Sequence, residues 1–153
     1  MINIKRILHP TDFSNYSKHA LKLACVFAEQ FDAELHLLHV INNAAILSPG
    51  IDGVIPTDYY QKLTEYALHE LDELPAAQSN FTGSVIRKTC DGLPFVEIIR
   101  YANEYNIDLI IMGTHGRSGL MHIIIGSVAE NVVRRAPCPV LTAHPDDYKF
   151  VMP

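Results

Sequence analysis

The stretch GTHGRSGLMHIIIGS, residues 113–127, places four glycines within fourteen positions and interleaves them with His115, Arg117 and His122. It directly follows the apolar run Asp108-Leu-Ile-Ile-Met112. Glycine lets a backbone turn where a Cβ would clash, and it lets another molecule come close to the main-chain amides. A helix starting near Gly126-Ser127 adds unpaired N–H groups and a partial positive charge, which together make an anion site. Phosphate binding is the chemistry this spacing suits, although long glycine-containing loops also simply cap sheets. Two familiar phosphate signatures are missing. The loop has no lysine, so G-x-x-x-x-G-K-[ST] is not met, and no G-x-G-x-x-G follows the first strand. A P-loop triphosphatase and a nicotinamide dehydrogenase are therefore disfavoured.

The other reactive side chains are weighed the same way. Asp12 closes the first strand in line with the loop, where it can face a ligand, but Asp is also a common turn residue. Arg117 can meet a phosphate or remain a solvated surface charge. Ser127 can contact phosphate or serve only as a helix-start residue. His36 and His39 lie three apart on a strand, so they point to opposite faces and cannot share an ion. His115 and His122 have no carboxylate near them in sequence. No metal site built from protein side chains is expected, and Mg2+ or Mn2+ would arrive on nucleotide phosphates. Phosphoryl transfer needs positioned cations and a group that orients the nucleophile. The loop offers amides, one arginine and two histidines, enough to hold a triphosphate and poor for cleaving it.

The elements that must position these residues alternate. Ile4 to His9 reads as a strand ended by Pro10, and Ser14 or Asn15 caps a helix with Ala20, Leu21, Ala24, Phe27, Ala28 and Phe31 on one face. Glu34 to Ile41 is a second strand, and residues 42–56 form a loop with two prolines and two glycines. A second helix starts at Thr57 or Asp58, carries Leu63, Tyr66, Ala67, Leu71 and Leu74 on one side, and stops at Pro75. Ser84 to Thr89 is a third strand, broken by Asp91-Gly92, and Pro94 opens a third helix whose stripe is Phe95, Ile98, Ile99, Ala102 and Tyr105. Leu109 to Met112 is a fourth strand. Ser127 to Arg135 is a helix with Val128, Ala129, Val132 and Val133 inside, and Val140 to Ala143 is the last strand. Such alternation, with runs like LIIM that lack a polar face, predicts an open α/β fold around a largely parallel sheet.

Bulk properties narrow the rest. A chain of 153 residues is one domain long, here residues 1–145 followed by a short polar tail, 146–153. A formal charge of −5 gives no footprint for nucleic acid or an anionic membrane. Cys25, Cys90 and Cys138 are odd in number and widely spaced, which fits reduced packing residues better than disulfides. The N-terminal apolar stretch is too short for a signal peptide or a membrane span, so a cytoplasmic protein is expected.

The spacing Gly113-x-x-Gly116, nine residues, then Gly126-Ser127 reads as G-x2-G-x9-G-[ST]. Together with ILHPTDFS, LHLLHVI, DLIIMGTHGRSG and GSVAENVVRRAPCPVL in that order, it resembles the ATP-binding branch of the universal stress protein family over nearly the whole chain. The resemblance implies a Rossmann-like sheet of five parallel strands, order 3-2-1-4-5, with helices on both faces. It implies that Gly113, Gly116, Gly126, Ser127 and the amide of Val128 wrap the phosphates and ribose of an adenine nucleotide, with Thr114, His115 and Arg117 lining the turn. Pro10, Thr11 and Asp12 would approach the base and sugar, Val40 would contact adenine through its backbone, and Met112 would touch the nucleotide's apolar side. Members commonly pair through the last strand, here Val140 to Ala143. The expectation is a dimeric regulator or sensor of stress that binds ATP, ADP or AMP. A slow ATPase, or an adaptor with incidental nucleotide, stays open. An adenylating pyrophosphatase would want S-G-G-x-D-S after the first strand, where this chain has His9-Pro-Thr-Asp-Phe-Ser14.

Overall fold

The structure is a computed structural model that describes residues 3–42, 58–76, 79–115 and 125–144. Gly116, Arg117 and His122, most of the 42–56 loop and the 146–153 tail lie outside the described residues. Strands β1 (Arg6–Pro10), β2 (Glu34–Ile41), β3 (Val85–Asp91), β4 (Leu109–Gly113) and β5 (Val140–Ala143) form one sheet in the order β3-β2-β1-β4-β5. Every pairing is parallel. Among the described residues four helices alternate with them: α1 (Asn15–Phe31), α2 (Tyr59–Asp72), α3 (Pro94–Glu104) and α4 (Ser127–Arg135).

The chain order explains which helix covers which face. Right-handed crossovers running outward from β1 to β3 put α1 and α2 on one side, and the return to β4 puts α3 and α4 on the other. Two cores result. Ile7, Leu35, Leu37, Leu109 and Ile111 pack with Leu21 and Leu71 on the first face. Leu8, Leu38, Ile110 and Met112 pack with Ile98 and Val132 on the second. Leu109 to Met112 are all buried, as a strand covered on both faces should be.

Several boundaries and faces differ from the sequence reading. β1 runs Arg6–Pro10 instead of starting at Ile4, and its start is fixed by Asp108, whose Oδ2 accepts the Lys5 and Arg6 amides at 2.7 and 2.8 Å. Pro10 belongs to the strand. β3 begins at Val85 and continues through Asp91, so Gly92, at φ +144°, is the residue that turns the chain. Tyr66 is 53% exposed and Val133 49% exposed, so neither lies inside its helix's stripe. Ser17, Cys25, Glu97 and Tyr101 are the buried residues the stripes missed. Ser14 does cap α1, its hydroxyl accepting the Ser17 amide.

Pro10 opens a gap between β1 and β4. Ile110 turns its N–H to Pro139 of the β5 side at 3.0 Å, so Ile111 turns its carbonyl toward β1. The donor due opposite that carbonyl is residue 10, which as proline has no N–H. The β1–β4 register accordingly ends at Leu8–Ile110. The buried His9 ring fills the vacancy, its Nδ1 donating to Ile111 O at 2.9 Å.

Candidate functional site

Beyond this gap β1 and β4 diverge at the point where the strand order reverses, the place where open α/β sheets form their ligand crevice. A cavity of about 480 Å3 lies there. Pro10, Thr11, Asp12, Val40, Met112, Gly113, Thr114, His115, Gly126, Ser127 and Val128 all line it. Every described residue of the sequence-derived set thus meets in one place, while Gly116 and Arg117 fall outside the described residues.

The floor is a hydrogen-bonded turn. Thr11 N donates to Leu38 O at 2.9 Å, Phe13 N donates to Thr11 Oγ1 at 3.1 Å, and Ser14 N donates to Asp12 Oδ1 at 3.0 Å. Asp12 therefore does serve the turn, and it also faces the cavity. Beneath the floor runs a buried polar chain. Ser17 Oγ lies 2.8 Å from Thr11 Oγ1 and 3.3 Å from His9 Nε2. Since His9 Nδ1 donates to a carbonyl, Nε2 can only accept while the ring is neutral. Burial pulls the His9 pKa down to about 4, against smaller upward pulls from the Ile111 carbonyl and Asp12, so the ring is neutral at pH 7.

The far wall is made of main chain. Thr114 N donates to Ala143 O at 3.1 Å, and Gly126 N donates to Thr114 O at 2.6 Å, which ties the start of α4 to the end of β4. Gly126 is the N-cap and offers no side-chain bond to the first turn. Ser127 is the first helical residue instead of the cap. The opening turn of α4 thus presents amides to the cavity with no side chain capping them, as an anion site needs. Gly113 sits close to α1: a Cβ there would stand 3.2 Å from Tyr16 O and 3.3 Å from Tyr16 C, both backbone of α1, a tight fit that favours glycine.

Among the described lining residues Asp12 is the one carrying a full charge; none is lysine or arginine. An anion would be held by oriented amides and the helix dipole. No group of three or more His, Cys, Asp or Glu able to hold a metal occurs among the described residues. His36 and His39 do point apart. His36 bonds Tyr101 Oη and Glu34 on the α3 face, and His39 donates from Nδ1 to Thr11 O at 2.8 Å on the other. No described helix is long and apolar enough to cross a membrane. All three cysteines are free.

The sequence reading missed Ser17, His39 and the helix-α2 residues Tyr59, Leu63 and Tyr66, which also line the cavity. The last three follow a four-then-three spacing, a face of α2 that could have been noticed as turned toward the strand ends. Ser17 carried no signal, because its role depends on where His9 and Thr11 fall in three dimensions.

Known proteins agree with this architecture. Residues 3–144 match the universal stress protein family. Universal stress protein MJ0577 of Methanocaldococcus jannaschii is 34% identical over 150 residues, 90% of this chain and 93% of that protein. Its solved structure matches with a TM-score of 0.83 at 33% identity, covering 96% of this chain and all of the other. UspA from Lactobacillus plantarum matches with a TM-score of 0.75 at 27% identity, covering 92% and 97% of the two chains. A universal stress protein solved in complex with cAMP shares the fold at 21% identity and a TM-score of 0.66, covering 94% and 99%. With a matched family spanning nearly its full length and this sheet order, the chain belongs to the universal stress protein family.

Proposed function

We propose that the chain binds an adenine nucleotide (ATP, ADP or AMP) in the cavity at the strand ends and acts as a dimeric regulator or sensor in stress response, working in the cytoplasm. The observation that carries this reading is the amide wall, where the end of β4 is tied to the uncapped start of α4 beside Gly113 and Gly126. In the proposed assignment these residues with Thr114, His115, Gly116, Arg117, Ser127 and Val128 hold phosphates and ribose. Pro10, Thr11, Asp12, Val40 and Met112 meet the base, the sugar and the apolar side, and Mg2+ or Mn2+ travels on the phosphates. With no described lysine or arginine in the wall, micromolar affinity is expected, about −8 kcal/mol.

Calorimetric titration with ATP, ADP and AMP, with and without magnesium, tests this. Gly126 has a φ of −70° that any residue adopts, so Gly126→Val places a branched side chain at the cavity wall without backbone strain. Its ATP affinity should fall at least tenfold while its circular dichroism stays unchanged. Undiminished binding by the folded variant would refute the assignment. Steady-state phosphate release above buffer, abolished by Asp12→Ala, would replace the sensor with a slow ATPase.

A further inference from the structure

The cavity is larger in kind than a single nucleotide-holding wall, because it reaches over the strand ends onto both faces of the sheet. Pro94 and Ile98 line it from α3, on one face, whereas Tyr59, Leu63 and Tyr66 line it from α2, on the other. The end of β2 agrees: Val40 packs with the α3-face core, while the next side chain back, His39, meets Phe13 and the α2 side. The amides of Gly113 and Gly126 and the Val40 backbone account for one half. The nucleotide assignment uses none of His39, Ile41, Tyr59, Leu63 or Tyr66, which line the cavity on the α2 side.

That second half is built of rings held in fixed positions. The His39 imidazole is anchored by its Nδ1 bond to Thr11 O and stacks on Phe13 with centroids 4.5 Å apart and 25° between planes. Tyr66 meets Phe13 edge-on at 6.3 Å. Phe13 adopts φ +64°, the left-handed region that a bulky side chain enters only at a cost, and it does so while placing its ring against His39. Tyr59 and Tyr66 remain 40% and 53% exposed at the cavity, so they are not core residues whose burial explains them. Stacking on such surfaces is sequence-tolerant and needs no charge, and no described residue of this half carries a full charge.

We propose that the α2 side of the cavity is a second subsite, formed by His39, Ile41, Tyr59, Leu63 and Tyr66, that takes an uncharged planar ring carried by the bound nucleotide. It rests on the adenine-nucleotide reading above. The ligand class is therefore a nucleotide with two ring systems, one met at Val40 and one stacked against the tyrosine face of α2.

Parallel titrations of the purified chain with ADP and with ADP bearing a methylanthraniloyl ring on its ribose separate the two readings. The ring-bearing ligand should bind about tenfold tighter, equal to about 1.4 kcal/mol. In Tyr66→Ala and Tyr59→Ala, both at exposed positions that leave the core intact, the ratio of the two affinities should fall toward one. A wild-type ratio of one with ADP bound overturns the subsite and leaves the nucleotide reading standing. A tenfold ratio that survives both substitutions seats the ring elsewhere and also overturns it. Failure of both ligands to bind refutes the nucleotide reading and the subsite with it.

Discussion

At the scale of single residues, the part of the site least readable in sequence is the chain Ile111–His9–Ser17–Thr11. His9 looked like one more histidine in a strand, and its task exists because Pro10 withholds a donor and because the β1–β4 register places Ile111 O opposite it. Neither fact is local. Its titration has a defined sign. The unfolded chain takes up a proton near the ordinary value of 6.5, while the folded chain resists protonation until about 4. The stability His9 contributes is therefore complete above pH 6.5 and is lost as pH falls from there toward 4, by about 2 kcal/mol between pH 7 and pH 5. His9→Asn keeps an amide donor for Ile111 O and cannot titrate. Urea unfolding at the two pH values should show a smaller loss in the variant by about that amount, and equal losses would contradict the assignment. Gly113 has a packing neighbour as well as a place at the cavity. Valine there would press on Tyr16's backbone, so Gly113→Val should lower stability by about 1–3 kcal/mol in addition to any effect on ligand. A melt unchanged from wild type would count against that contact. The glycine was legible; its neighbour was not.

Elements were read more successfully than the residues that secure them. Glu34–Ile41, Ser127–Arg135 and Val140–Ala143 fall where hydrophobic runs, Gly126 and the Pro137-Cys-Pro139 segment put them. The α2 stripe was read too widely, because Tyr66 follows helical spacing yet faces the cavity mouth, and spacing alone cannot tell a core face from a site face. The end of α2 depends on a residue from another element. Arg87 of β3 donates from Nε to Leu71 O at 2.9 Å and from Nη2 to Leu74 O at 2.6 Å, adding a charged donor to the Leu71 carbonyl, which also accepts the Leu74 amide, and to the Leu74 carbonyl just past the helix. Pro75 was visible as a stop signal, but no sequence pattern joins it to an arginine twelve residues on. Hydrogen bonds from a charged donor contribute about 1.5–3 kcal/mol each. Arg87→Leu keeps the apolar stem and should lower the unfolding free energy by about 2 kcal/mol. Its effect should appear first as faster amide exchange over the last turn of α2; protection equal to wild type there would remove Arg87 from this role.

For the molecule as a whole, the order β3-β2-β1-β4-β5 followed from the family resemblance, and alternation alone would have given a parallel sheet without its permutation. That order decides two things together. It puts the reversal, and so the crevice, between β1 and β4, and it leaves β3 and β5 as edges. A sheet edge exposes unpaired N–H and C=O groups that invite a partner strand. The hydrogen bonds on β5 reveal which of its groups are spent. Pro139 O and Ala143 O accept from Ile110 and Thr114 on the β4 side. By the two-residue period of a strand, Leu141 faces β4 as well, while Val140 and Thr142 turn their N–H groups outward. If two copies join through Val140 to Ala143, as proposed, Thr142→Pro removes one outward donor and leaves the β4 ladder untouched. Sedimentation at micromolar concentration should then find a dimer for the wild type and a monomer, still folded, for the variant. A wild-type chain that sediments as a monomer ends the pairing proposal, and a variant that remains dimeric moves the interface off this edge. Nucleotide affinity measured on the same two proteins adds a further discrimination. The β5 end is tied to the cavity wall through Thr114 N to Ala143 O. Pairing that steadies this end should therefore make the monomeric variant bind ATP more weakly, and equal affinity would separate assembly from the site.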